Sequence, residues 1–438
     1  MVPKRGPNVR RTKIVTVVIA GLLGAKIASA QVLQVERLRG FNHGESSTST
    51  PDSVYTGAAA WGAKIMRLHI WGGSIPSPFW TNWPAFLDDL DKRVARAKAA
   101  GFRVIINPKF VPFDNGLNVE DSPFWLQTNL VENFTKIWVD IATRLKKYGP
   151  TIYGYDLYNE PLDRSILPLA PSQWRPLAVK LVSAIRAIDP DVWIIYEAGP
   201  GGVTWAYANL TPLPDRKVMY SPHMYEPQLF SHQGAYGNPI GVPYPDPVTG
   251  WNKAKLIGEL QGVRDFQLMY DVPIVMGEFG NSRRGAPADI NRWYDDMIPT
   301  WEQYKWSWAL HAWKDGDFWD PEKADTSVIR TLQGYMNLNK TPITDTYNPI
   351  LEAPGHHEAE YAEAFNAAVK GTDNFEFTGG GYMVLSGAGS YCRWEKVEVL
   401  LAGTYELSLG YANGSGAARS VDFTVNGSVG AGRSVSSR

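Results

Sequence analysis

Cysteine is nearly missing from this chain: Cys392 stands alone among 438 residues, so no intrachain disulfide is possible and a disulfide-stapled fold is excluded. An excess of either charge is missing too. The formal net charge is -1, and the only basic cluster lies at the extreme N-terminus, which leaves no electrostatic footprint for nucleic acid. The apolar run from Ile14 to Leu23 is too short to span a bilayer comfortably, and Lys26 interrupts its far end. Gly379-Gly380-Gly381 and Gly387-Ala388-Gly389 lack the strand-to-helix context and the downstream Lys-Ser/Thr of a phosphate loop, so they read as turns. Without staples the chain must be held by a core, and a neutral polymer or small molecule suits its charge.

What is present begins with a segment that reads as an export signal. Lys4, Arg5, Arg10, Arg11 and Lys13 precede the apolar run, and Ala28-Ser29-Ala30 offers a small-residue cleavage site before Gln31. Residues 1–30 are therefore expected to direct secretion, extracellular or periplasmic, and to leave no membrane attachment after cleavage; an uncleaved N-terminal anchor is the alternative. Arg10-Arg11 lacks twin-arginine surroundings, and no cysteine follows for lipid attachment.

The remaining length has room for a barrel of roughly 250 residues or more plus something smaller. Eight short apolar segments read as strands: Arg37–Asn42, Lys64–His69, Arg103–Asn107, Ile152–Leu157, Val192–Tyr196, Lys217–Pro222, Ile274–Gly277 and Trp306–Ala312. Helical spacing fills the gaps over Phe86–Ala100, Asn129–Lys147, Gln173–Ile188, Trp251–Tyr270 and Ala288–Tyr304, with Gly101 and Gly149 as stops. Alternation of this kind predicts an α/β fold, a (β/α)8 TIM barrel, over residues 31–348. The long connections Trp71–Phe86, Phe110–Trp125, Pro161–Gln173, Ala198–Arg216 and Glu226–Gly250 all follow strands, which puts them on the face where barrels build active sites. Residues 349–357 read as a linker, and 358–438 alternate apolar and polar positions with many glycines, as a small all-β, sandwich-like module does.

Two segments carry the chemistry. Tyr153 to Pro161 reads as a strand that delivers Asn159-Glu160 to its end, and Val272 to Gly280 delivers Glu278 in the same way. Paired carboxyl groups at strand ends are what glycosidic bond cleavage requires. Aromatic residues make up 12% of the chain, with 17 Trp, and such rings stack on the apolar faces of sugars.

These segments resemble glycoside hydrolase family 5, within the retaining barrel clan. The matching stretches are Leu38–Asn42, Met66-Arg67-Leu68, Tyr158-Asn159-Glu160-Pro161, Pro222-His223-Met224-Tyr225, Gly277-Glu278-Phe279-Gly280 and Trp308–Asp315, in order along the barrel region. The resemblance implies Glu160 as general acid/base and Glu278 as nucleophile, with retention of anomeric configuration and no cofactor for catalysis. It implies that Asn159 bonds the sugar 2-hydroxyl, that Arg67 and Tyr225 hold Glu278, and that His223 sits beside the acid/base. An arginine next to only one of two carboxyl groups would separate their proton affinities, and Arg67 is the expected source of that asymmetry.

Family members usually carry a histidine at the end of the third strand, where this chain has Asn107 and Lys109. On the eighth strand, alternation places Trp308 and either His311 or Trp313 toward the cleft, with the register open. Trp71, Trp80, Trp83, Trp125, Trp205 and Trp319 are candidate sugar platforms on the loop face. The expected activity is endo-acting cleavage of β-1,4-glucan by a monomer, with mannan, xylan or mixed-linkage glucan as alternative substrates. A non-catalytic polysaccharide binder is the alternative of another class.

The His356-His357-Glu358-Ala359-Glu360 cluster lacks zinc-protease spacing. With Gly380-Gly381-Tyr382, Trp394–Val397 and Gly403–Gly414 it resembles the first part of a carbohydrate-binding module of the family 6/35 type. That resemblance implies a structural calcium on Glu358 and Glu360. It stops before the end of such a module, so a truncated sandwich with weak or no polysaccharide binding is expected.

Overall fold

The computed structural model of the chain describes residues 15–19, 32–44, 50–109, 120–208 and 210–351, together with short stretches between 364 and 435. They divide into two compact units, one of residues 31–351 and one of 1–30 with 352–438. No helix of the described residues is long and apolar enough to cross a membrane.

The larger unit is built on eight parallel strands: β1 Arg39–His43, β2 Ile65–Trp71, β3 Arg103–Lys109, β4 Ile152–Asp156, β5 Ile194–Tyr196, β6 Val218–Tyr220, β7 Val275–Met276 and β8 Ser307–Leu310. Their order in the sheet is β7-β8-β1-β2-β3-β4-β5-β6. A parallel bridge between Tyr220 and Ile274 joins the two ends, supported by the Tyr220 N–H donating to Pro273 O at 3.0 Å. All eight strands expected from the sequence are present, and the ring is a (β/α)8 barrel.

Strand alternation decides what fills it. Ile65, Ile105, Tyr153, Ile195, Met219, Val275 and Ala309, one from each of β2 to β8, meet in one buried cluster with Leu38 ahead of β1. Burying side chains of this size stabilises by about 1.5–3 kcal/mol each. The cluster is closed from below by Val35 and Tyr347, which sit on an antiparallel pair of Leu33–Glu36 with Thr344–Tyr347. Arg37 fastens this plug through Nε and Nη2, each 2.7 Å from the Asp345 carboxylate. Two residues further along the strands, the same parity carries Arg67, Glu197 and His311 inward at the upper end.

Helices sheathe the ring because their apolar stripes have no other cover. Leu130–Leu145 buries Leu130, Phe134, Ile137, Trp138, Ile141, Ala142 and Leu145, a run at helical spacing. The helix expected to start at Phe86 starts at Phe79, because Phe79 and Trp83 continue the buried face of Phe86, Leu87 and Leu90 and Pro84 is accommodated within it. The helix expected over Trp251–Tyr270 is two, Lys253–Glu259 and Gln261–Tyr270, meeting at Leu260. Asp52–Ala60 and Thr326–Met336 are further helices that the periodicity reading did not single out. Gly101 (φ 85°) and Gly149 (φ 50°) turn the chain at the stops assigned to them.

The smaller unit is described as strand pairs. Ala364–Asn366 pairs with Tyr391–Arg393, Ala368–Gly371 with Tyr382–Leu385, and Arg419–Val421 with Arg433–Val435, all antiparallel. Val15–Ile19, inside the apolar run read as an export signal, pairs antiparallel with Gly403–Leu407. Glu358, Glu360 and Trp394 lie outside the described residues, as do residues 352–357 of the expected linker.

Candidate active site

Arg67, on β2 and fully buried, is the hub of the upper end of the barrel. Its Nε donates to Asp156 Oδ2 at 2.8 Å, its Nη2 to Glu197 Oε1 at 2.6 Å, and its Nη1 to Glu278 Oε1 at 2.7 Å. Nη1 also donates to Asn42 Oδ1 at 2.8 Å, and Nη2 to Asn159 Oδ1 at 3.1 Å. Three carboxyl groups, despite the cost of burial, raise the guanidinium further above its ordinary range. The Asp156 carboxyl is pushed well above the usual range by burial and then by Glu197, against Arg67. Because the Asn159 oxygen accepts from Arg67, its NH2 is turned the other way and is free to donate to a ligand.

Glu160 follows β4 with φ 47°, a left-handed backbone that costs a side-chain-bearing residue energy and clusters at functional sites. The conformation is held by its own N–H, which donates to Glu197 Oε2 at 2.7 Å. Its carboxylate oxygen Oε1 lies 2.8 Å from His223 Nδ1, and its side chain is 35% exposed. His223 Nε2 faces Glu197 Oε1 at 3.4 Å. Burial disfavours charge on this ring, but Glu197 and then Glu278 outweigh it and raise His223 to about 10, so it is an imidazolium at neutral pH.

Glu278 extends β7 as part of a short parallel pair in which it is in register with His223. Its side chain is only 3% exposed. Tyr225 Oη donates to Oε2 at 2.9 Å, Lys109 Nζ is 3.7 Å from Oε1, and His311 Nδ1 is 3.5 Å from Oε2. Burial alone would raise this carboxyl; Lys109 foremost, with the charged His223 and Arg67, overcomes it and holds it well below the usual carboxylate range. His69 Nε2 lies 3.5 Å from Oε1 and is kept neutral by burial, then by Lys109 and Arg67. One oxygen of Glu160, a ring nitrogen of His223 and one oxygen of Glu278 all lie within 4.8 Å of one another. Two carboxyl groups therefore meet at short range in unlike surroundings, one partly open beside an imidazolium and one buried among cations.

The structure brings Glu160, Glu278, Arg67, Asn159, His223, Tyr225 and His311 together; on the eighth strand it corrects the expectation for Trp308 and selects His311 over Trp313. Trp308 does not face the cleft: Ala309 takes the inward position, so Trp308 points outward, fully buried, with Nε1 donating to Glu302 Oε1 at 2.9 Å. Trp313 is fully buried too, with Nε1 donating to Val54 O at 2.9 Å and its ring 4.9 Å from Phe41. Among the proposed platforms, Trp319 (5.5 Å from the His311 ring) and Trp71 (5.3 Å from Lys109 Nζ) belong to the site. Trp83 and Trp125 are buried, donating to Asp140 and to Leu162 O, and Trp80 lies over Lys136 in the helical layer. Trp205 is 47% exposed.

Glu197, Asp156, His69, Asn42 and Lys109 were not named as site residues from the sequence. Glu197 had a readable signal, since it ends an apolar strand just as Glu160 and Glu278 do. Two groups, His69–Glu278–His311 and Glu160–His223–Glu278, bring donor atoms within 4.8 Å as a metal ion needs. Both rely on Glu278, which already faces Arg67 and Lys109, so a cation there would meet two positive charges. The calcium ligands expected at Glu358 and Glu360 lie outside the described residues.

The family model described as Cellulase (glycosyl hydrolase family 5) matches residues 27–317. Endoglucanase C of Acetivibrio thermocellus is 22% identical over 285 residues, 58% of this chain and 80% of that protein. The crystal structure of endoglucanase Cel5A from Thermotoga maritima superposes with a TM-score of 0.57 at 22% identity, covering 67% of this chain and 96% of that one. Structures of the same Thermotoga maritima protein in complex with a mannotriose substrate superpose with a TM-score of 0.56 at 21% identity, over 67% of this chain and 96% of theirs. These structural likenesses show the barrel fold, while the family model spans the strands that carry Arg67, Glu160, His223 and Glu278. This chain, a glycosyl hydrolase, belongs to glycosyl hydrolase family 5, the cellulase family.

Proposed function

We propose that the chain is a retaining endo-β-1,4-glucanase in which Glu160 is the general acid/base and Glu278 the nucleophile. The observation that carries this reading is the approach of the two carboxyl groups to within 4.8 Å. An approach this close goes with retaining enzymes, whose carboxyl groups stand about 5–5.5 Å apart, rather than with inverting ones at about 6.5–9.5 Å. Glu278, held as an anion, attacks the anomeric carbon while Glu160 gives its proton to the departing glycosidic oxygen, and a glycosyl ester forms. Glu160, now a base, takes a proton from water that attacks the same carbon, and Glu278 leaves as the carboxylate. The His223 imidazolium steadies Glu160 as its charge changes, and the Asn159 amide NH2 is placed for the sugar 2-hydroxyl. No cofactor enters either step.

The endoglucanase names of the relatives support a glucan substrate. The mannotriose complex of a structural neighbour supports mannan as the second reading. We further propose export by residues 1–30 and action as a monomer, on the sequence pattern and charge. Residues 358–438 are proposed as a carbohydrate-binding module, with Glu358 and Glu360 offered to calcium. The catalytic assignment is tested with Glu278→Ala: turnover of carboxymethyl cellulose should disappear, and azide should restore it as a glycosyl azide of inverted configuration. Substantial unaided activity in that variant would remove the nucleophile from the mechanism. Product analysis on cellulose and mannan decides the sugar.

A further inference from the structure

Glu278 needs more positive charge than Arg67 alone supplies. The guanidinium is divided among Asp156 at 2.8 Å, Glu197 at 2.6 Å and Glu278 at 2.7 Å. His223 is likewise bonded to Glu160 and faces Glu197. His69 and His311, the other rings against Glu278, are held below their ordinary range, by burial foremost. Tyr225 donates a neutral hydrogen bond. The Glu160 carboxyl at the end of β4 lies within 4.8 Å and adds no positive charge, so from β2, β4, β6 and β8 every group facing Glu278 is shared with another carboxyl group, uncharged at neutral pH, or itself acidic.

Lys109 on β3 is different. Alternation from Ile105, which is in the barrel interior, turns Lys109 inward as well, and its register partner on β2 is Trp71. Its ammonium lies 5.3 Å from the centre of the Trp71 ring and 3.7 Å from Glu278 Oε1. Among the described residues Glu278 is its ion-pair partner. The residue is 9% exposed, so its charge acts through little water and its stem is clamped rather than free.

We propose that Lys109 is a positioning residue, a dedicated counter-charge on the third strand that keeps Glu278 ionised and aimed while Arg67 serves the buried acids beneath. Trp71 fixes the ammonium over its face, so the charge is presented from one side of the carboxylate and Tyr225 from the other. The ammonium makes the nucleophile of this chain serviceable at lower pH than an uncharged side chain in that position would.

This inference rests on Glu278 being the nucleophile, and the experiment separates the two. The pH dependence of kcat/KM on a soluble cellooligosaccharide is measured for the wild type, Lys109→Met and Lys109→Arg, with the thermal midpoint of each. Removing the counter-charge raises the proton affinity of Glu278. The acidic limb in Lys109→Met should therefore move to higher pH by about one unit or more, the alkaline limb should stay in place, and Lys109→Arg should return the acidic limb toward the wild-type position. If Lys109→Met does not fold, Lys109→Gln is read in its place. A folded variant without the charge and with an unmoved acidic limb overturns the role of Lys109, as does a shift that Arg fails to reverse. Unaided activity in Glu278→Ala overturns the underlying mechanism instead.

Discussion

The backbone N–H of Glu160 donates to the Glu197 carboxylate at 2.7 Å, so the acid that ends one barrel strand holds the backbone that presents the acid of its neighbour. Glu197 also takes Arg67 at 2.6 Å, and Arg67 reaches Glu278 at 2.7 Å, so this fully buried residue links the strand ends that carry Glu160 and Glu278. The positive φ of Glu160 persists because this contact over-determines it.

Glu197→Ala leaves an Arg67 nitrogen and the Glu160 N–H without this acceptor in a buried setting. Loss of one partner of a buried ion pair costs about 3–5 kcal/mol, and Glu197→Gln, which keeps an acceptor oxygen, should lose less. Urea unfolding at pH 7 measures both. Wild-type stability in the alanine variant would remove Glu197 from this role.

His223 gives stability a defined dependence on pH. Its folded-state value is raised to about 10, so between its unfolded value near 6.5 and about 10 the folded protein binds a proton that the unfolded chain releases. The contribution is full below pH 6.5 and is lost as pH rises through that window. Relative to His223→Asn, the wild type should lose on the order of a few kcal/mol between pH 6.5 and 10. Parallel stability curves for the two proteins across that range would contradict the charge state given to His223.

Trp308 and Trp319 separate packing from binding. Trp308→Phe removes a buried indole that bonds Glu302, and it should cost about 1–3 kcal/mol in stability while KM changes little. Trp319→Ala removes a ring 5.6 Å from Tyr225 and 5.5 Å from His311 at the site, and it should raise KM for oligosaccharides with a smaller effect on folding. A KM change confined to Trp308→Phe would return that residue to the cleft.

The ring of strands was legible because each strand is a short apolar run between turn signals, as strands buried on both faces are. Glu160 and Glu278 were legible because each carboxylate directly follows such a run within a short recognisable motif, Asn159-Glu160-Pro161 and Gly277-Glu278-Phe279-Gly280. Trp308 was misplaced because parity along β8 depends on which residue enters the shared interior layer, and that is settled by Ala309 joining a cluster fed by six other barrel strands. The start of the helix at Phe79 was missed because Pro84 punctuates the sequence as if it were a boundary.

Local pattern by itself determined the eight-fold alternation, the two strand-end glutamates and the family, since periodicity and short motifs depend on residues close together in the chain. Only the tertiary structure decided that Glu197 supports Glu160, that Arg67 is divided among three acids, and that Lys109 stands against Glu278. Those relationships join residues 37 to 211 positions apart, and electrostatic coupling depends on distance in space, which closing the barrel creates and the linear order does not contain.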